Sequence, residues 1–171
     1  QAFSISGKRQ GFEDARGTLF FDVARIVGEK RPKVVFLENV KNFATHDGGR
    51  TMGVVRDTFA ELGYDLHAAV LNPVHYGVPQ KRERIYLVGF REDLGVGPDG
   101  FAFPDPFPLD RFVEDFLLPN AEVADRIITR PDLVMTRRSV EKNAAEAIRV
   151  GHVAAGRQGE RVYSPKGIAI T

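Results

Sequence analysis

No cysteine occurs among the 171 residues, which excludes disulfides, a thiol nucleophile within the chain and a zinc site built on thiolates. No apolar run is long enough to cross a bilayer. The start lacks the charged, then apolar, then small-residue order of a secretory signal, so the sequence predicts a cytoplasmic protein with no membrane partner. Internal repeats and low-complexity tracts are also missing. The net charge of +1 falls well short of the strongly basic balance that by itself announces nucleic acid. What remains is an ordinary globular composition, 43% hydrophobic and 27% charged, enough for one core or for most of one and part of another.

The cations that are present cluster: Lys8, Arg9 and Arg16 near the start, Lys81, Arg82 and Arg84 in the middle, and Arg149, Arg157, Arg161 and Lys166 near the end. Leu19, Phe20, Val23, Ala24, Ile26 and Val27 recur at helical spacing, predicting an amphipathic helix from Thr18 to Glu29 with Gly28 and Pro32 as its stop. VVFLENV (Val34 to Val40) reads as a central strand buried on both faces, with Glu38 and Asn39 at its polar carboxyl end. Met52, Val55, Phe59 and Leu62 mark a second helix stopped by Gly63. Tyr64 to Val70 alternates as a strand does, and Ile85 to Phe90 is another strand.

Between those two strands, Pro73, Gly77 and Pro79 prevent the crossover helix that parallel neighbours need, so the strands should run antiparallel. The pattern predicts an open α/β sheet with a reversed final strand, a feature that separates it from a plain dinucleotide-binding sheet. From Asp93 onward glycines and prolines make a linker-like stretch, and Phe112 to Leu118 reads as a short helix before Pro119. The division is expected at 112, with residues 113–171 beginning a second, smaller domain.

Three features invite chemistry. Glu38 stands where open α/β sheets place their ligands, and a carboxylate there either serves a ligand or pairs with an arginine or a helix end. In QKRER (Gln80 to Arg84), an extended chain would put Gln80, Arg82 and Arg84 on one face, able to hold a carboxylate, a phosphate and a base edge; a solvated edge strand is the plain alternative. The loops SGKRQG and GRQGER place glycine beside arginine, lysine and glutamine, suited to phosphate approach and groove contacts but also common on surfaces.

In order, QAFS, FEDARGTL, FLENV and YGVPQKRERIYLVGF resemble the motifs of the bacterial DNA cytosine-5 methyltransferases of restriction-modification systems, and the likeness runs through GERVYSPKGIAIT. The resemblance implies an S-adenosylmethionine-dependent methyltransferase sheet with a reversed final strand, followed by the start of a target-recognition domain. It implies duplex DNA as partner, a monomer at full length, and a cytosine flipped out of the helix for chemistry at C5. Glu38 would hold the base at N3 and N4, with Arg84 and Arg82 near O2 and the backbone. Leu19 matches a position against the methyl donor. Gln1 to Arg16 would form the loop that closes over DNA, with Ser6 near the duplex and Lys8, Arg9 and Arg16 near phosphates. Gln158 and Arg161 match a recognition loop, where arginine can pair with guanine O6 and N7; carried through that loop, the likeness implies GCGC as the site.

In this family a Pro-Cys pair precedes QAFS and its cysteine is the nucleophile. The glycine turn that binds most of the methyl donor and the family's closing motifs have no counterpart here. The resemblance therefore implies a piece of a longer protein, or one partner of a split enzyme, that folds poorly and does not methylate alone. A related branch acts on transfer RNA, and a non-catalytic DNA-binding subunit is a further alternative.

Overall fold

The computed structural model describes residues 19–137, 139–143 and 145–170. They divide into two compact units: residues up to Leu71 with Glu83–Asp105, and Asn72–Arg82 with the residues from Pro106 on.

In the first unit α1 (Leu19–Lys30) is followed by β1 (Val34–Val40), α2 (Arg50–Glu61), β2 (Tyr64–Leu71) and β4 (Arg84–Arg91). Phe20, Val23, Ala24 and Val27 form the inward stripe of α1 at the spacing a helix demands, while Leu19 and Ile26 are exposed on its other side. The helix does not stop at Gly28. It ends where Arg31 takes a φ of 48° and its N–H donates to the Val27 carbonyl at 2.9 Å, a left-handed closure. Gly28 instead allows close packing, since a Cβ there would lie 3.1 Å from Leu62 Cδ2. Gly63 ends α2 as expected, with a φ of 74°.

The three strands are ordered β1-β4-β2, and β4 runs antiparallel to both neighbours. The reversed final strand is thus present, and it is the central one. Val35, Ile85, Leu87 and Tyr64 share the face that packs on Val27, Phe43, Met52, Val55 and Phe59, forming the core. On the opposite face Phe101 lies against His67 and Phe90, with ring centroids 5.2 Å from each.

The expectation that β1 is central and buried on both faces does not hold. Among the described residues β1 is an edge strand, and Val34 and Phe36 remain 47% and 64% exposed. An unbroken apolar run records composition without recording which neighbours cover it.

In the second unit β5 (Val134–Met135), β6 (Arg149–His152) and β7 (Arg161–Tyr163) form an antiparallel sheet, and β3 (Gln80–Lys81) pairs in parallel with β8 (Ala169–Ile170). Ile148, Val150 and Ile168 are its buried apolar residues. The helix expected over 112–118 is a single 3-10 turn, Val113–Phe116, with the Phe112 N–H donating to Asp115 Oδ2 at 2.7 Å. Phe116, Leu117 and Leu118 are exposed, so no buried face offsets the cost of nucleating so short a helix. Among the described residues no helix is long and apolar enough to cross a membrane.

Candidate functional site

Glu38 and Arg84 meet at one end of the first-unit sheet. The register opposes Val40 to Arg84 and Glu38 to Tyr86, so Glu38 and Arg84 are diagonal neighbours on the same face. Arg84 Nε stands 3.0 Å from Glu38 Oε1, and Nη1 of the same guanidinium donates to the Glu83 carbonyl at 2.8 Å. The arginine side chain is 17% exposed and the glutamate 42%. A largely buried cation thus holds a carboxylate that still faces solvent. Of the two sequence readings of Glu38, pairing with an arginine is realised, and the exposed carboxylate remains able to accept hydrogen bonds from a ligand.

The neighbourhood of the pair adds residues that motif reading missed. Tyr86 shares its face and stacks at a tilt on Phe36, with ring centroids 5.7 Å apart; period-two alternation from Arg84 was the available signal for Tyr86. Lys41 Nζ reaches Glu83 Oε1 at 2.7 Å, a contact with no signal in local sequence. Asn39 Oδ1 accepts the Val40 N–H at 2.8 Å, turning the side chain of the ENV triplet onto its own backbone.

QKRER is not one extended strand. Gln80 and Lys81 belong to β3 in the second unit, the ladder is interrupted at Arg82 and Glu83, and β4 begins at Arg84 in the first. The alternation expected to align Gln80, Arg82 and Arg84 therefore does not run through the segment. Arg82 is anchored in its own unit by its N–H, which donates to Asn72 Oδ1 at 3.1 Å.

Gln158 lies in the 3-10 turn Gln158–Glu160 and Arg161 opens β7 opposite His152; both side chains are exposed. The Arg157 N–H closes this turn on Glu160 Oε2 at 2.8 Å. A nearby tie joins Asp132 to Arg130 at 2.8 Å and to the Ala154 N–H at 3.1 Å, and these contacts, the guanidinium first, lower the Asp132 carboxyl to about 2. Leu19 is the first described residue, exposed at the start of α1. Ser6, Lys8, Arg9 and Arg16 lie outside the described residues. Among the described residues no group of histidine and acidic side chains could hold a metal ion.

Comparison with known proteins identifies this arrangement's relatives. The family of C-5 cytosine-specific DNA methylases matches residues 1–150. The chain is 60% identical over all of its length to the type II methyltransferase M.HhaI of Haemophilus parahaemolyticus, of which it spans 52%. It is 53% identical over 66% of its length to the type II methyltransferase M.HpaII of Haemophilus parainfluenzae, of which it spans 31%. The chain thus covers about half, or less, of these relatives.

Among solved structures, a Spodoptera frugiperda DNMT2 mutant superposes with a TM-score of 0.51 at 22% identity, covering 70% of this chain and 37% of that one. A putative DNA modification methyltransferase encoded in an Escherichia coli prophage gives 0.51 at 21%, covering 78% and 38%. At such identity these likenesses bear on the fold alone, and they agree with a partial methyltransferase sheet. By its sequence, the chain belongs to the C-5 cytosine-specific DNA methylase family.

Proposed function

We propose that these residues are part of a DNA cytosine-5 methyltransferase of a restriction-modification system, acting on a cytosine turned out of a short duplex site with S-adenosylmethionine as the methyl donor. The single observation that carries this reading is the Glu38–Arg84 pair, 3.0 Å apart at the carboxyl end of β1, on the family's own motif residues.

The chemistry explains why such a pair is wanted. Cytosine C5 becomes nucleophilic when a thiolate adds at C6, which places electron density on the ring. Glu38 accepts a hydrogen bond from the N4 amine and shares a proton with N3, offsetting that density as it develops. Arg84, paired with Glu38, fixes the carboxylate in the base plane and lies near O2. The sequence holds no cysteine, so the thiolate comes from outside these residues and they do not methylate by themselves.

Leu19 is the one described residue that the family likeness sets against the methyl donor. It contributes one exposed apolar side chain at a helix start.

We assign residues 1–112 to the catalytic part and 113–171 to the start of the target-recognition part. Gln158 and Arg161 read bases of a GCGC site, Arg161 through guanine O6 and N7. Ser6, Lys8, Arg9 and Arg16 contact the duplex and its phosphates. Formation of 5-methylcytosine in defined duplexes by the whole protein tests the reading. Product at GCGC, its loss in Arg84→Ala and relaxed site choice in Arg161→Ala are expected; methylation of another base, or undiminished turnover in Arg84→Ala, would refute it.

A further inference from the structure

We propose that Lys41 and Glu83 form a positioning pair for the base-binding site, holding the Arg84 guanidinium against Glu38; the inference rests on the reading of Glu38 and Arg84 given above.

Val40 and Arg84 are the last opposed residues of the β1–β4 ladder, and the next pair in that register would be Lys41 and Glu83. At this point both chains leave the sheet: Lys41 enters the 3-10 turn Lys41–Phe43, and β4 starts only at Arg84. The ladder's pairing therefore stops at Val40 and Arg84. Beyond it Lys41 Nζ donates to Glu83 Oε1 at 2.7 Å.

The backbone that carries Lys41 is held on the core side. Phe43, two residues beyond Lys41, is buried in the core with 3% exposure, and the Ala44 N–H closes the turn on the Lys41 carbonyl at 3.0 Å. Lys41 is therefore the anchor. Glu83 is the held residue, and its carbonyl is one of two acceptors that orient the Arg84 guanidinium, the other being Glu38. Movement of the Glu83 peptide would swing that guanidinium and carry the Glu38 carboxylate out of the base plane. Neither Lys41 nor Glu83 need touch the base to affect the reaction, because small displacements of an orienting group are felt in the rate.

A simpler role for Lys41 is a direct phosphate contact, and the charges of the pair separate the two. Neutralising a phosphate-binding lysine weakens DNA binding and lowers its salt dependence, whereas neutralising a neighbouring glutamate strengthens binding. A positioning pair behaves differently: losing either member loosens the same peptide. Lys41→Gln and Glu83→Gln should therefore each lower kcat by about two- to fivefold, the range set by an exposed pair, with the KM for duplex DNA little changed. The exchanged pair, Lys41→Glu with Glu83→Lys, should recover most of the loss.

The experiment is steady-state methyl transfer by the whole protein and these variants, with Glu38→Gln alongside. Parallel losses in kcat and recovery by the exchange support the proposal. Losses confined to Lys41→Gln and to KM, or single variants at the normal rate, overturn it. An exchanged pair no better than the single variants also overturns it. Should Glu38→Gln itself retain normal turnover, the base-holding role fails and this inference fails with it; a large loss in Glu38→Gln with normal Lys41 and Glu83 variants removes the positioning role alone.

Discussion

Arg84 reaches Glu38 diagonally across two antiparallel strands, Nε to Oε1 at 3.0 Å, from the first position of the sheet's central strand. The same guanidinium also donates to the Glu83 carbonyl. A planar, forked group presents Nε to one acceptor and Nη1 to the other, and a lysine does not reproduce that geometry, because its three donors radiate from a single nitrogen on a flexible stem. Arg84→Lys should therefore behave as a disruptive change in the whole protein, lowering methyl transfer by about tenfold or more. A turnover assay at saturating DNA checks this, and activity within twofold of normal would show that charge alone suffices.

Phe59 is fully buried between Phe20 and Tyr64, with ring centroids 6.3 and 6.1 Å away. It links both helices to the face of the sheet opposite Glu38. Truncation in Phe59→Ala leaves a cavity among rings that cannot all collapse inward, and should lower unfolding free energy by about 3–5 kcal/mol. Chemical denaturation of the whole protein measures this; a loss below about 1 kcal/mol would mean that the core is not packed as described.

Asp132 has a carboxyl lowered to about 2 by the hydrogen bond from Arg130 and the Ala154 N–H. A folded value below the ordinary 3.8 means that ionised Asp132 favours the folded loop. That contribution is complete above the unfolded value and disappears as pH falls through about 2. No change is expected from this group between pH 5 and 8. Carboxyl-carbon NMR titration should place its midpoint near 2 and move it toward the ordinary value in Arg130→Ala; a midpoint near 3.8 in the unchanged protein would contradict the tie.

Elements whose signal is local were legible. The run Val34 to Val40 became β1 with the same bounds, and the prolines and glycine between Leu71 and Gln80 did force an antiparallel return. Periodicity also located α1 and α2, although the stop of α1 moved to Arg31 because a glycine can serve helix packing as readily as helix ending.

Features set by distant partners were less accessible. Whether Phe36 is covered depends on what lies over its face, and whether QKRER is continuous depends on β8, far along the chain. Glu38 and Arg84 were identifiable by residue type and by the strand ends they occupy. Their contact required the β1–β4 register, as did Lys41 with Glu83.

The most direct test is the single-turnover rate of methyl transfer to a duplex cytosine by the whole protein carrying Glu38→Gln, with DNA binding measured on the same preparation. The substitution keeps size and one acceptor while removing the carboxylate proposed to offset charge on the ring. If Glu38 holds the base edge, the rate should fall by about a hundredfold or more, as removal of one charge-stabilising group does in other enzymes, with DNA affinity nearly unchanged. A rate close to normal would contradict that role.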